Sequence, residues 1–160
     1  MRNAFFVSVL LLAPVPAAAQ SPLGIFFRWG AFEQSEPRKC HAIAAPSAAY
    51  QRAYASVGLW PERGLGPQLY LRLSHPRRPG SAVILRIDGK PFQLVGQGAN
   101  AWAPNPRADA AIVSAMRTGV TMTVESRSEA GGRFRDRYAL RGAASAIDAA
   151  AFACAGKKPQ

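Results

Sequence analysis

The stretch SAVILRIDGKPFQLVG, residues 81–96, constrains the fold more than any other part of the sequence. Two β-rich runs flank Asp88-Gly89, a dipeptide favoured in two-residue hairpin turns where both turn positions need positive φ. Pro91 follows closely and has no amide hydrogen, so we expect the second strand to lie at a sheet edge there. The sequence therefore predicts an antiparallel strand pair in the middle of the chain.

Four other short stretches also predict strands, and the last two of them show the alternation of apolar and polar residues that is typical of half-buried strands. They are Leu23–Gln34, Lys39–Pro46, Gln68–Ser74 and Val120–Arg127, with Leu69, Leu71, Leu73, Val120, Met122 and Val124 expected to face the core. The stretch Ser47–Trp60 stays ambiguous, because its alanines suit a helix but its register is poor. Residues 100–106 are expected to form a loop or a short strand.

Two stretches predict helices. In Arg107–Thr118 the apolar residues recur at helical spacing, Arg117 lies in the last turn, and Gly119 follows as a stop. The Ala-rich stretch Ala143–Cys154 predicts a closing helix. We therefore expect a mainly β (α+β) fold, an antiparallel β-sandwich or curved sheet of six to eight strands with these two short helices packed on it.

The stretch GGRFRDRYALRG, residues 131–142, places three arginines on alternate positions. If it is a strand, the arginines share the solvent face, and its other face carries Phe134, Tyr138 and Leu140, with Asp136 as the odd member. Glu125 on the preceding strand can neutralise only one guanidinium. The candidate anion-binding residues are Arg127, Arg133, Arg135 and Arg137. The alternative is that they form only the solvated side of a sheet.

The first 19 residues have the three-part layout of a secretory signal peptide: a short positive start, an apolar run over residues 4–13, and small residues with Ala17 and Ala19 in an A-x-A frame. The apolar run is too short for the roughly 20 residues that span a bilayer. We expect cleavage near Ala19, a periplasmic or secreted protein with no transmembrane segment, a single β-rich domain over residues 20–156, and a disordered tail over 157–160.

The chain is strongly basic. Its formal net charge is +11, and the leader carries one of its 20 basic residues and none of its nine acidic ones, so the mature chain carries +10. Such a charge favours anionic partners. Export makes nucleic acid an unlikely partner and points to an anionic envelope polymer or lipid. The alternative is a merely soluble, Arg-rich protein.

Two cysteines, Cys40 and Cys154, lie near the two ends of the mature chain. In an oxidising compartment such a pair predicts a disulfide, and the alternative is two free buried thiols. Two distant cysteines and two scattered histidines show no metal-ligand spacing, so we expect no metal or other cofactor.

No arrangement typical of catalysis is present. His41 neighbours Cys40, but adjacent strand residues point to opposite faces, and His75 precedes a proline in a turn. There is no G-x-S-x-G motif, and the string GQGANA at residues 96–101 lacks a third glycine. We therefore expect no catalytic residues and no enzymatic activity. The three tryptophans are expected to be core or rim residues.

The carboxy-terminal third, about 45 residues, resembles a known family. A helix, then MRTGVTMTVESR, a Gly-rich turn and YALRGAASAIDAA resemble the closing segment of the invasion-associated locus B family of exported bacterial proteins. The early Trp29 followed by Cys40 is also similar. The resemblance implies an exported β-rich domain linked to host-cell invasion or envelope stress, and it carries over no catalytic residue.

These observations favour a non-enzymatic exported envelope protein that binds an anionic component through its basic hairpin face. The alternative is a periplasmic inhibitor or partner-binding module that docks on another exported protein. In that case the loop HPRRPG, residues 75–80, would matter more than the arginines.

Overall fold

The computed structural model describes residues 20–48 and 52–155. The expected leader, its cleavage site and the expected tail lie outside these residues. The elements are β1 (Gln20–Phe26), β2 (Trp29–Gln34), β3 (Lys39–Ala44), β4 (Tyr54–Trp60), β5 (Leu65–Arg72), β6 (Val83–Ile87), β7 (Lys90–Gln97), β8 (Asn100–Trp102), α1 (Pro106–Thr118), β9 (Thr121–Arg127), β10 (Arg133–Ala139) and α2 (Ala143–Ala155), with a 3₁₀ turn at Pro61–Arg63.

The described strands form one antiparallel sheet in the order β1-β2-β3-β4-β5-β8-β7-β6-β9-β10. The first five strands are a meander, β8, β7 and β6 then lie in reverse order beside β5, and the β9–β10 hairpin completes the sheet. The expected mainly β fold with two short helices is confirmed, but ten strands form where six to eight were expected.

The extra strands come from stretches with weak or misread patterns. Leu23–Gln34 was expected to be one strand, but a tight turn at Phe27 (φ 57°) and Arg28 divides it into β1 and β2. The ambiguous stretch contains β4, in which Ala55 and Val57 are buried among the core residues. The small residues Ala55, Ser56 and Gly58 hide the alternation of this strand, because their side chains differ little in hydrophobicity.

The DG hairpin is confirmed as β6–β7, with both turn residues, Asp88 (φ 47°) and Gly89 (φ 88°), at positive φ. Strand β7 lies between β6 and β8, but it pairs with β8 only over Val95–Gln97. At Pro91 this side of β7 is therefore an edge, as expected, and the missing amide hydrogen leaves no partner in β8 unsatisfied.

Val120 was expected to face the core but is 73% exposed. Strand β9 begins one residue later, at Thr121, because the Asp88 side chain binds the backbone where α1 leads into β9. Its two carboxylate oxygens accept hydrogen bonds of 2.9 Å from the backbone nitrogens of Val120 and Thr121. Met122 and Val124 are buried as expected.

The inner face of the sheet and the two helices share one apolar core. Asn105 caps α1 by accepting a bond from the Ala108 nitrogen, and Pro106 occupies the first turn. Asp109, in the first turn of α1, accepts a 2.7 Å bond from the Leu69 nitrogen through its Oδ1. Burial raises the pKa of Asp109. The hydrogen bond from Leu69 to the Asp109 carboxylate joins α1 to β5.

Helix α2 packs against the first four strands through small residues, which allow a close approach. The expected disulfide between Cys40 on β3 and Cys154 on α2 is present, with a Cα–Cα distance of 5.9 Å. The alternative of two free thiols is wrong. No helix in the described part of the chain is long and apolar enough to cross a membrane.

A basic face as the candidate functional site

Strand β10 alternates strictly between solvent and core. Its outward positions are exposed and its inward positions buried, as the sequence predicted: Arg133, Arg135 and Arg137 face solvent, whereas Phe134, Asp136 and Tyr138 lie inside. The arginines are held on a strand whose other side is locked into the core, so their backbone positions are fixed before any ligand binds.

The register with β9 places a fourth arginine and the expected carboxylate beside the three arginines of β10. Arg133 lies opposite Arg127, and Arg135 lies opposite Glu125. The Arg135 Nε atom is 2.7 Å from Glu125 Oε1, which confirms the expected pair. Both side chains are partly exposed, so the pair contributes only about 0.2–1 kcal/mol to stability.

Strand β6 adds Arg86, an exposed residue that the sequence analysis missed. Arg86 lies opposite Thr123 of β9, and Ile84 lies opposite Glu125, so both share the face of the β10 arginines. The alternation in SAVILRID could have marked Arg86 as outward. Its place beside β9 could not be read from the sequence, because β6 and β9 are far apart along the chain.

We call the outward arginines of β6, β9 and β10 the basic face: Arg86, Arg127, Arg133, Arg135 and Arg137. Glu125 is the acidic residue at the outward positions of these three strands. Five guanidiniums thus surround one carboxylate, and the face has a clear excess of positive charge. A planar guanidinium can offer two parallel N–H donors to a phosphate or carboxylate, which suits this face to anions.

Two depressions open on the basic face. The larger, of about 610 Å³, is lined by Ser81, Ala82, Ile84, Glu125, Ser126, Arg127, Arg133, Phe134 and Arg135. The second, of about 460 Å³, is lined by Arg86, Asp88, Gly89, Thr121, Thr123, Glu125 and Arg135. Arg135 and Glu125 form the ridge between them. Loss of that ion pair would turn the Arg135 guanidinium into a free donor for an anion in either depression.

Asp88 adds negative charge to the second depression, but its carboxylate is already engaged. The bonds from the Val120 and Thr121 backbone nitrogens hold its pKa below the usual range for aspartate. Asp88 is therefore charged at neutral pH and acts as the turn residue that the sequence predicted. Because Asp88 does not line the larger depression, that depression is the more favourable of the two for an anion.

Comparison with known proteins yields no relative. No family model, no curated protein and no solved structure matches this chain. The resemblance to the invasion-associated locus B family therefore gains no support here.

The two histidines lie in different surroundings. His41 is 6% exposed and stacks on Phe32, and its pKa is lowered by burial and by the charge of Lys39. His75 Nδ1 lies 2.9 Å from Ser74 Oγ, a contact the sequence did not predict. A serine–histidine pair works in catalysis when a carboxylate orients the imidazole.

The carboxylate near this pair is Asp136, and it has another role. Asp136 is fully buried, and its Oδ2 accepts a 2.9 Å bond from the Ser74 backbone nitrogen. Beside it, burial and the Asp136 charge raise the pKa of Tyr138 far above its usual value, so its phenol stays neutral. This arrangement ties the chain after β5 to β10.

Metal binding also finds no site in residues 20–48 and 52–155, where no three acidic, histidine or cysteine side chains are grouped. Trp29 is fully buried, with its Nε1 donating to the Ala139 oxygen at 2.9 Å, and is a core residue as expected. Trp60 and Trp102 are half-buried, which fits the expected rim positions.

Proposed function

We propose that this protein is an exported, non-enzymatic component of a bacterial envelope, of the invasion-associated locus B type, and that its basic face binds an anionic envelope component. The observation that carries the proposal is the clustering of five arginines and one glutamate on one face of three neighbouring strands, where four of the arginines line two depressions. Ordered strands present these arginines, so binding costs little backbone entropy and the remaining cost is the rotamer freedom of the arginine side chains.

Two features support an extracytoplasmic location. The Cys40–Cys154 disulfide is typical of oxidising compartments. The signal-like layout of the first 19 residues would deliver the chain there. A mature protein of this kind meets anionic phospholipids and polymers in the envelope, which match the sign of its charge.

The test is binding of the purified, oxidised mature domain to isolated envelope fractions across a salt series. A triple variant, Arg133→Ser with Arg135→Ser and Arg137→Ser, is compared with the wild type. The matched control removes the same charge through Arg28→Ser, Arg63→Ser and Arg107→Ser, three exposed arginines that do not belong to the basic face. We expect binding that weakens as salt rises and is lost in the first variant only.

Equal binding by the wild type and the basic-face variant would contradict the proposal. An equal loss in both variants would also contradict it, because it would mean that net charge, rather than this face, attracts the envelope fraction.

A second candidate function, docking on another exported protein, is favoured by the loop over residues 75–80. Arg77 holds this loop from within, since its guanidinium donates to the backbone oxygens of Gly96, Arg78 and Ser81 at 2.7–3.1 Å. A short exposed loop with a fixed shape loses little entropy when it enters a partner's cleft, as inhibitor loops do. Recovery of one stoichiometric protein at moderate salt, abolished by Arg78→Ala, would favour this function.

A further inference from the structure

Apolar side chains lie directly beside the basic face on the same side of the sheet. Ala82 and Ile84 line the larger depression together with Arg127, Arg133 and Arg135. A hydrophilic polyanion would make no favourable contact with the Ala82 and Ile84 side chains. Their presence raises the question of how far the apolar surface extends.

The strand register shows that it extends across four strands. Ile84 of β6 lies opposite Gln93 of β7. Two residues further along β7, Val95 lies on the same face as Gln93 and opposite Trp102 of β8. Trp102 lies opposite Tyr70 of β5 on its other side. Directly opposite residues point to the same face. We call Ile84, Val95, Trp102 and Tyr70 the apolar row.

The apolar row is accessible to solvent within the described part of the chain. Val95 is 42% exposed, and the other three members are half-buried. With strands about 4.8 Å apart, three strand spacings make the row about 15 Å long. At its far end Tyr70 donates its hydroxyl to Asn100 Oδ1 at 2.6 Å, and Arg72 donates to the same oxygen at 3.0 Å, so the row ends in a polar network.

This combination of side chains matches the boundary of a membrane. Arginines bind lipid phosphates and are attracted by anionic leaflets. Tryptophan and tyrosine are enriched where headgroups meet acyl chains, because one part of each side chain is apolar and the other is polar. Transfer of a valine or isoleucine side chain from water to an apolar environment is favourable, so these residues of the row stabilise binding only where the ligand offers an apolar region. An anionic polysaccharide would use the arginines but not the aliphatic members of the row.

We propose that the anionic component bound by this protein is the surface of an anionic phospholipid membrane. The arginines of the basic face contact lipid phosphates, and the apolar row lies at the boundary between headgroups and acyl chains. This inference rests on the proposed function, because it names the ligand class of the same basic face.

The experiment measures partitioning of the mature domain onto phosphatidylglycerol vesicles, with phosphatidylcholine vesicles and soluble dextran sulfate as comparison probes. The row variant is Val95→Ser. Its matched control is Val120→Ser, the same change at a valine that is more exposed and lies outside the row. We expect Val95→Ser to weaken partitioning onto phosphatidylglycerol about fivefold, Val120→Ser to leave it unchanged, and dextran sulfate binding to be equal in all three.

A second readout does not depend on mutation of the row. In a Trp60→Phe background, Trp102 is the half-exposed tryptophan that remains, because Trp29 is fully buried. Phosphatidylglycerol carrying bromine on its acyl chains should then quench the Trp102 fluorescence, which requires the ring to reach the acyl boundary.

The outcomes separate this inference from the function on which it rests. Partitioning that is equal in the wild type and Val95→Ser, without quenching of Trp102, overturns the lipid inference while the basic face still binds anions. Binding to dextran sulfate but not to phosphatidylglycerol vesicles also overturns it and identifies a polysaccharide. If the triple arginine variant binds every probe as the wild type does, the proposed function itself fails.

Discussion

The two ends of the sheet are built in different ways. At the disulfide end, strands β1–β4 pack under α2, and a covalent bond joins β3 to that helix. At the arginine end, strands β6, β9 and β10 turn apolar residues inward and five arginines outward. The disulfide and the arginines proposed to bind a ligand thus lie on different strands. Changes at one end should therefore leave the other largely unaffected.

The two ends are nevertheless in contact, which limits their independence. The Trp29 indole of β2 donates to the Ala139 oxygen of β10, and the Ser47 nitrogen donates to the Arg137 oxygen at 2.6 Å. At the start of α2, an added Cβ on Gly142 would lie 2.0 Å from the Phe26 backbone oxygen. Strong curvature of the sheet brings its first and last hairpins to this junction.

The largest effect is expected from removal of the disulfide. The bridge joins residues 114 positions apart, and closing so long a loop stabilises a domain by roughly 4–5 kcal/mol in the chain-entropy model, an upper figure. The double variant Cys40→Ala with Cys154→Ala should lose a large part of this free energy of unfolding, measured by urea denaturation. Where it remains folded, its vesicle binding should equal that of the wild type. A loss of binding by the folded variant would contradict the separation of the two ends.

A smaller loss is expected from Gly142→Ala at the junction. Gly142 has φ +92°, and its added Cβ would collide with backbone, so strain and a shift of the β1–β2 turn should together lower the free energy of unfolding by about 2–4 kcal/mol. The matched control is Gly131→Ala, at φ +91° but with open space around the added atom. It should cost only about 1 kcal/mol. Equal losses would show that the junction is not tightly packed.

A third effect depends on pH and belongs to the disulfide end. Burial and the charge of Lys39 lower the pKa of His41 in the folded protein from 6.5. Below that pH the unfolded chain binds more protons than the folded one, so stability should fall as the pH drops through 6.5 and downward. Thermal unfolding between pH 8 and 5 tests this, with His41→Gln as the variant that should flatten the dependence. An unchanged slope in His41→Gln would assign the effect to other groups.

The sequence predicted local features well where a single pattern determined them. The alternation in residues 131–142 gave the two faces of β10, and Asp88-Gly89 gave the turn of β6–β7. The order of the strands could not be predicted in this way, because pairing between β6 and β9 depends on long-range packing. Arg86 was missed for that reason. Asp136 looked like an exception to the pattern, but burial is possible because a backbone nitrogen from another part of the chain satisfies one of its oxygens.

The smallest effect on stability, and the sharpest test of the arginine end, is expected from Glu125→Gln. This change removes the carboxylate that engages Arg135 and lies between the two depressions. Because the pair is partly exposed, the free energy of unfolding should change by less than about 1 kcal/mol. Binding to phosphatidylglycerol vesicles should strengthen and become more sensitive to salt, since the face gains a unit of positive charge and Arg135 gains freedom to meet a phosphate. Glu62→Gln, the same change at an exposed glutamate of the 3₁₀ turn, is the matched control. If both variants bind alike, the position of Glu125 within the basic face has no role, and the arginines act only through the overall charge of the protein.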